Sequence, residues 1–172
     1  MLGKNNKLTN ISIVFTKWDF HHLMGLGKLK DLRIAKENRA IVFDNIINEK
    51  IKYNNIAKSR YISQIEDRFI PLSSIEQILD NNNLVFRYNK KQNIFSAIEA
   101  DFLLSTPFDK TDVYIFLFKD EDNAENEYFC RSFFPKSNRD YTIGQARYTL
   151  LYKEKVNLST GEIEIQYDRL KK

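Results

Sequence analysis

The sequence is poor in the residues that build disulfide frameworks and closed zinc sites. Its 172 residues include one cysteine, Cys130, and two histidines, His21 and His22. A single thiol cannot form an internal disulfide, and three such side chains fall short of the four ligands of a structural zinc. We therefore expect neither a disulfide-stapled secreted domain nor a metal or other cofactor.

Long apolar segments are also missing. No stretch approaches the roughly 18 to 20 apolar residues that cross a membrane. The polar start MLGKNNKLTN lacks the apolar centre of a signal peptide. With only three prolines and five glycines, no linker-like stretch divides the chain. The sequence predicts a cytoplasmic protein, without a membrane partner, that forms one domain over residues 1–172.

Basic residues are concentrated in one part of the chain. The formal net charge is +4, and the window from Arg131 to Lys155 holds six lysines and arginines against Asp140 and Glu154. An acidic run over residues 119–127 precedes this window, and we expect it to form a solvated turn that faces elsewhere. The basic window predicts a polyanionic partner.

The hydrophobic spacing changes near residue 83. A short strand at 11–15 and helices up to about residue 80 precede the change, and extended segments follow it. The predicted helices are 19–26, 34–50, 53–69 and 75–80, and the predicted strands are 84–88, 94–104, 112–119, 127–134, 147–155 and 162–167. This order predicts an α+β fold in which N-terminal helices pack on a C-terminal antiparallel β-sheet, with 113–118 at the sheet centre.

The adjacent histidines lie in the segment WDFHHLMGLGKLKD. Neighbouring residues of a helix point about 100° apart, so His21 and His22 cannot share one apolar seam. At least one should face outward or into a cleft. Its role would be either that of a partly buried histidine hydrogen-bonded near the helix end or that of a catalytic acid or base. Lys28 follows on a loop and is either solvated or an RNA contact.

The segment YFCRSFFPKSNRDYTIGQARYTLLYK holds the other candidate residues. Strict alternation puts Cys130, Ser132 and Phe134 on one strand face and Phe129, Arg131 and Phe133 on the other. Ser132 would either satisfy a backbone group or serve a site. A polar turn with Tyr141 and Gln145 leads to Arg147, which suits either a phosphate clamp or a rim ion pair.

A surface that binds RNA needs cations for the phosphates and flat rings on which bases stack. This segment supplies both. The predicted RNA contacts are His21, Lys28, Arg131, Lys136, Arg139, Tyr148 and Lys153.

Together, FHHLMGLGKLKD, a helical span, CRSFF and DYTIGQARYTLL resemble the phage-associated branch of the nuclease superfamily that groups barnase, EndoU, certain colicins and RelE. The resemblance spans most of the chain. It implies a helix-then-sheet endoribonuclease that acts as a toxin or as a phage or mobile-element effector. Within the pattern, His22, Ser132, Tyr141 and Gln145 match the motif positions, whereas His21 has no assured counterpart.

The implied reaction uses the 2′-hydroxyl of RNA as the nucleophile and leaves a 2′,3′-cyclic phosphate, so it requires no metal. We assign His22 as acid or base, Arg147 as the main phosphate cation and Ser132 and Gln145 as neutral donors. Tyr141 would donate a proton or stack on a base. These residues should converge on one cleft.

The predicted partners are RNA, such as tRNA or mRNA, and a cognate antitoxin or immunity protein. The alternative is a non-catalytic module of a phage or defence system that binds RNA or a protein. A DNA-binding regulator ranks lowest because no helix-turn-helix is evident.

Overall fold

A computed structural model describes residues 1–81, 83–119 and 125–171, with the side chain of Asn5 excepted. Residues 120–124 of the predicted acidic turn lie outside these ranges. The five α-helices are α1 Phe20–Met24, α2 Arg39–Ile47, α3 Tyr53–Ile56, α4 Phe69–Ser73 and α5 Ile75–Asp80.

The helical half has a small core of its own. Its buried side chains are Leu26, Leu29, Ile34, Val42, Ile56 and Ile65. α2 starts at Arg39, five residues after the start of the predicted 34–50 helix, because the side chain of Asn38 accepts hydrogen bonds from the backbone of Ala40 and Ile41 at 3.1 and 3.3 Å. The helix predicted at 53–69 is wrong in length: only α3 is α-helical, and 3-10 turns follow at Ile62–Gln64 and Glu66–Arg68.

Pro71 follows the end of the predicted 53–69 helix by two residues and lies inside α4. It is the third residue of α4, and the first turn of a helix has backbone N–H groups without intrahelical partners, so a missing N–H costs little there.

The strands form two sheets, and all of them except the first follow residue 83. Their strands are β1 Ser12–Ile13, β2 Leu84–Arg87, β3 Phe102–Phe108, β4 Thr111–Phe118, β5 Glu127–Pro135, β6 Ala146–Tyr148, β7 Tyr152–Val156 and β8 Ile163–Asp168. The main sheet has the order β1-β5-β4-β3-β2-β6, and β7 pairs with β8. β1 runs parallel to β5 while the other pairs are antiparallel, so the prediction of a purely antiparallel sheet is corrected at this edge.

β4 lies inside the sheet, as its apolar sequence predicts. All five residues from Val113 to Leu117 are fully buried. We call the side of the sheet that carries Ile115, Phe102 and Cys130 the helix face, because Leu23 of α1 and Ile78 of α5 pack there. The opposite side, the loop face, carries Phe86, Leu103 and Phe116, and residues of the 88–101 and 136–145 segments cover it.

The strand predicted at 147–155 is divided between the two sheets. Thr149 pairs with Leu2 near the chain start, so the extended segment leaves β2 after Tyr148 and resumes as β7. The β7–β8 hairpin then docks on α5 through polar contacts: Lys155 pairs with Glu76 at 2.5 Å, and Gln166 donates to Asp80 at 2.7 Å.

The α+β class is confirmed, but the helices do not form a layer across one sheet face. α1 contacts β5, α5 contacts β3, and most of the helical half surrounds its own core. In the described ranges, no helix is both long enough and apolar enough to span a membrane.

Candidate active site

The two adjacent histidines occupy different environments. His21 is buried, and its Nε2 lies 3.1 Å from the carbonyl oxygen of Ile34. His22 is half-buried, and its ring plane is rotated 89° from that of His21. The two roles considered for the histidines, a structural hydrogen bond and acid–base catalysis, therefore fall to different residues. His21 makes the structural hydrogen bond, so its predicted RNA contact is not supported. His22 is the ring that reaches the surface.

The surroundings of His22 favour a neutral imidazole. Burial lowers the pKa of His22 below its ordinary value of 6.5, and the positive charges of Arg39 and Arg131 push it the same way against a smaller opposing effect of Asp19. A neutral ring at physiological pH has a free lone pair and can accept a proton. We call His22, Arg39 and Arg131 the histidine cluster.

A β-bulge positions Arg131 in this cluster. The register between β4 and β5 shifts so that Phe116 pairs with Ser132 whereas Leu117 pairs with Cys130, which leaves Arg131 as the extra residue. Its exposed guanidinium lies 5.6 Å from the ring centre of Phe118. Both Arg131 and Arg39 are exposed, and within the described residues neither forms an ion pair.

The same bulge corrects the predicted alternation of β5. Cys130 and Phe133 share the helix face, and Phe134 joins the loop face. Strict alternation puts Cys130 and Phe134 on one face because it assumes that each residue of β4 pairs with one residue of β5. The bulge inserts an additional residue into β5. Ser132 lies opposite Phe116 and is half-buried.

Arg147 lies at the other edge of the main sheet. A single cross-strand row connects it through Phe86, Leu103 and Phe116 to Ser132. Four strand spacings separate the two ends, about 19 Å along the sheet. The middle of the row is fully or almost fully buried. The prediction that His22, Ser132, Tyr141 and Arg147 face one cleft is therefore corrected, because one phosphate cannot contact both edges.

Tyr141 and Gln145 hold the segment that covers the loop face. The ring of Tyr141 packs on Tyr114, Phe116 and Phe134 with centroid distances of 5.7, 5.3 and 5.7 Å. The amide of Gln145 bonds twice to the backbone of Asn89, at 2.7 and 3.2 Å. These contacts give Gln145 a structural role in place of the predicted phosphate donor.

Two lysines predicted to bind RNA are engaged in structural contacts. Lys136 pairs with Asp140 at 2.6 Å, and that bond is the main reason why its pKa is raised. Lys153 donates to the carbonyl oxygens of Leu79 and Asn81 at the end of α5, and burial lowers its pKa. Neither ammonium group projects freely toward a ligand, so both assignments are corrected.

The remaining predicted contacts differ in availability. Tyr148 packs edge-on against Phe102 at 5.6 Å on the helix face, so it does not offer a free stacking surface. Lys28 donates to the Gln64 carbonyl at 3.1 Å. Arg139 is exposed beside the Tyr141 ring, 5.7 Å from its centre, and remains open to an anion.

Sequence reasoning missed Arg39. It lies in α2, more than fifteen residues after His22, and no local motif links the two. Glu99 was also missed: Lys90 donates to its carboxylate at 2.9 Å and lowers its pKa, and the charge of Arg131 acts in the same direction. Arg131 therefore acts on both the imidazole of His22 and the carboxylate of Glu99.

In the part of the chain that the structure describes, no three His, Cys, Asp or Glu side chains come together as a metal site. An α+β fold with an antiparallel-rich sheet and a cationic, histidine-bearing edge defines a protein suited to phosphodiester chemistry.

A family model described as phage-Barnase-EndoU-ColicinE5/D-RelE like nuclease4 matches residues 1–170. The chain belongs to this family of nucleases, which confirms the resemblance carried by the histidine and CRSFF motifs. No curated protein and no solved structure matches the chain significantly.

Proposed function

We propose that the protein is a metal-independent endoribonuclease whose reaction centre is the histidine cluster. Membership of a nuclease family supports phosphodiester cleavage in general. The observation that carries the proposal is His22: a half-buried imidazole whose pKa is lowered by burial and by the charges of Arg39 and Arg131, on the helix that packs against the bulged strand β5.

In this mechanism the nucleophile comes from the substrate. His22 accepts the proton of the RNA 2′-hydroxyl while the 2′-oxygen attacks the neighbouring phosphorus. Arg131 and Arg39 balance the charge that develops on the phosphorane oxygens. The bond from phosphorus to the 5′-oxygen then breaks, which leaves a 2′,3′-cyclic phosphate and a protonated 5′-hydroxyl.

The leaving oxygen needs a proton, which the imidazolium formed on His22 can return, and we propose that the ionised carboxylate of Glu99 stabilises this imidazolium. Glu99 shares the electrostatic influence of Arg131 with His22. The ion pair between Glu99 and Lys90 is largely exposed to solvent, so it is weak and a bound substrate can displace Lys90 from the carboxylate. A Glu99→Gln variant that retains RNA binding but loses cleavage would support this assignment.

The decisive experiment incubates the purified protein with total RNA in EDTA. The proposal expects fragments that end in a 2′,3′-cyclic phosphate. Matched oligonucleotides with ribose or 2′-deoxyribose at the scissile position then separate the mechanisms, because the deoxy substrate has no attacking oxygen. Cleavage of the deoxy substrate, or activity that requires added Mg²⁺, would contradict the proposal.

We propose the biological setting on the family name alone: a toxin or a phage or mobile-element effector that acts on cellular RNA such as tRNA or mRNA and is restrained by a cognate antitoxin or immunity protein. Co-expression of candidate neighbouring genes would test this, since an inhibitor should abolish cleavage at a one-to-one ratio. RNA binding without cleavage in any condition would favour the non-catalytic accessory role.

A further inference from the structure

A second cationic site lies away from the histidine cluster, at the edge where β6 meets the β7–β8 hairpin. A cavity of about 290 Å³ opens there, and Arg147, Arg169, Tyr148 and Tyr167 are among the residues that line it. We call it the β6 cavity. Its size approaches the lower end of the range typical of small-molecule sites.

The two arginines of the β6 cavity are exposed at the protein surface. Neither forms an ion pair with a described residue, and the nearby acids already have partners. Asp80 accepts from Lys155 and Gln166, and Asp168 is capped by the backbone of Leu170. Two like charges that line one cavity repel each other, and an anion between them would relieve that repulsion.

The hairpin that supplies Arg169 is held in place by specific contacts. Lys153 donates to carbonyl oxygens at the end of α5, and Arg169 itself donates from its backbone to the Leu151 carbonyl at 2.8 Å. Asn83, also in the cavity wall, is buried, and its Oδ1 accepts no hydrogen bond from the residues described. This acceptor cannot bond a phosphate oxygen, but it can accept a hydrogen bond from a base N–H of a nucleotide bound in the cavity.

We infer that the β6 cavity is a subsite for a backbone phosphate of single-stranded RNA, held by Arg147 and Arg169 away from the scissile bond. Arginine forks match the geometry of phosphate oxygens. The half-buried Tyr167 in the cavity wall offers an aromatic ring for the adjoining nucleotide. This inference rests on the proposed function for its substrate class, but it concerns binding and can be measured without cleavage.

The test uses 2′-O-methyl RNA, which lacks the attacking hydroxyl and stays intact. Binding of a labelled oligonucleotide is followed by fluorescence anisotropy over a range of salt concentrations. Arg147→Ala and Arg169→Ala should each weaken binding about tenfold and reduce the salt slope by about 0.7. The matched control is Arg33→Ala, an exposed arginine of the helical half, which should change neither quantity.

Competition with free mononucleotides separates two sources of the phosphate. If a mononucleotide inhibits RNA binding by the wild type but not by Arg169→Ala, the site is supported for free phosphate as well. If no mononucleotide inhibits binding while Arg169→Ala still weakens binding of the oligonucleotide, the site is supported only for phosphates within an RNA chain. If cleavable RNA is also cut, both variants should raise KM and leave kcat unchanged, since the subsite does not touch the reacting phosphate.

The inference is overturned if Arg147→Ala and Arg169→Ala behave like Arg33→Ala while the protein still binds RNA. Arg169→Lys, which keeps the charge, should retain most of the affinity and guards against a misfolded variant. If the protein cleaves no RNA but shows these binding losses, the subsite stands and the proposed catalytic function fails. The two failures are therefore distinguishable.

Discussion

The histidine cluster and the segment from Lys136 to Lys153 carry similar residues in opposite states. In the cluster, His22 has no hydrogen bond with a described residue and Arg131 has no ion pair. In the segment, Lys136 is bound to Asp140, Gln145 to the Asn89 backbone and Lys153 to the end of α5. Polar groups that complete the fold have partners, whereas the cluster keeps its groups available for a ligand.

The comparison shows that a basic stretch of sequence is not a measure of available charge. The window from Arg131 to Lys155 looks like one polyanion-binding surface, yet it spans both edges of a sheet and an ion-paired turn. The arginines of this window that form no ion pair with a described residue are Arg131 in β5, Arg139 beside Tyr141 and Arg147 in β6. Substitutions in the histidine cluster should therefore reduce RNA cleavage, whereas substitutions of the partnered residues in the segment should reduce the free energy of unfolding.

The largest effect should come from His22→Ala. A proton shuttle acts mainly in the transition state, so kcat should fall by about a hundredfold to ten-thousandfold, with RNA affinity nearly unchanged. Single-turnover cleavage and anisotropy binding on the same preparation measure both quantities.

His21→Ala is the matched control because the two histidines are adjacent. It leaves the buried Ile34 carbonyl without a partner, so the free energy of unfolding should fall by about 1–3 kcal/mol while the folded fraction still cleaves RNA. Full activity in His22→Ala, with activity lost in folded His21→Ala, would reverse the two assignments.

The next effect concerns Asp140, at the centre of the ion-paired turn. It accepts from Lys136 and Thr142 at 2.6 Å and from the Tyr114 hydroxyl at 3.1 Å. Asp140→Ala removes a charged acceptor from several donors and should cost about 1.5–3 kcal/mol of unfolding free energy. Urea denaturation at neutral pH measures this loss.

The same contacts predict how that loss depends on pH. The Lys136 and Thr142 bonds lower the pKa of Asp140 below its ordinary value of 3.8, so its stabilisation is present above that value and is lost as the pH falls toward the folded pKa. The difference between wild type and Asp140→Ala should shrink below about pH 4. A constant difference across that range would contradict the ionic origin.

A smaller effect should follow from Lys153→Ala. Its ammonium interacts with the carbonyl end of α5, and its removal should cost about 1 kcal/mol and loosen the β7–β8 hairpin. Hydrogen exchange of the β7 and β8 amides reports the loosening. The salt slope of RNA binding should stay at its wild-type value because this ammonium is not free for a phosphate, whereas a reduced slope would restore the RNA contact predicted from the sequence.

The smallest effect is a shift of the acidic limb of the cleavage profile. Arg39 lowers the pKa of His22, so Arg39→Ala should raise that pKa and move the limb to higher pH. NMR titration of the imidazole gives the direction without relying on activity. Arg33→Ala, in the same half of the molecule but 91% exposed in its side chain, should leave the titration unchanged.

The hydrophobic pattern predicted much of the architecture. The apolar run of β4 identified the sheet interior, and the change of period near residue 83 separated helices from strands. The pattern predicted the ends of the elements less well. The predicted 53–69 helix is a short helix followed by 3-10 turns because its apolar residues pack around a small irregular core. The predicted 147–155 strand is divided because Thr149 pairs with Leu2. Both outcomes depend on partners distant in the chain.

The sequence by itself determined the α+β class, the family and the residues capable of acid–base and phosphate chemistry, because period, composition and motif order are local properties. Only the tertiary structure decided which of those residues are free. Which histidine is available depends on the Ile34 carbonyl, which lies against His21, and the sheet face on which Phe134 lies depends on the β-bulge in β5. The separation of Arg147 from His22 follows from strand order, which side-chain spacing along one chain does not encode.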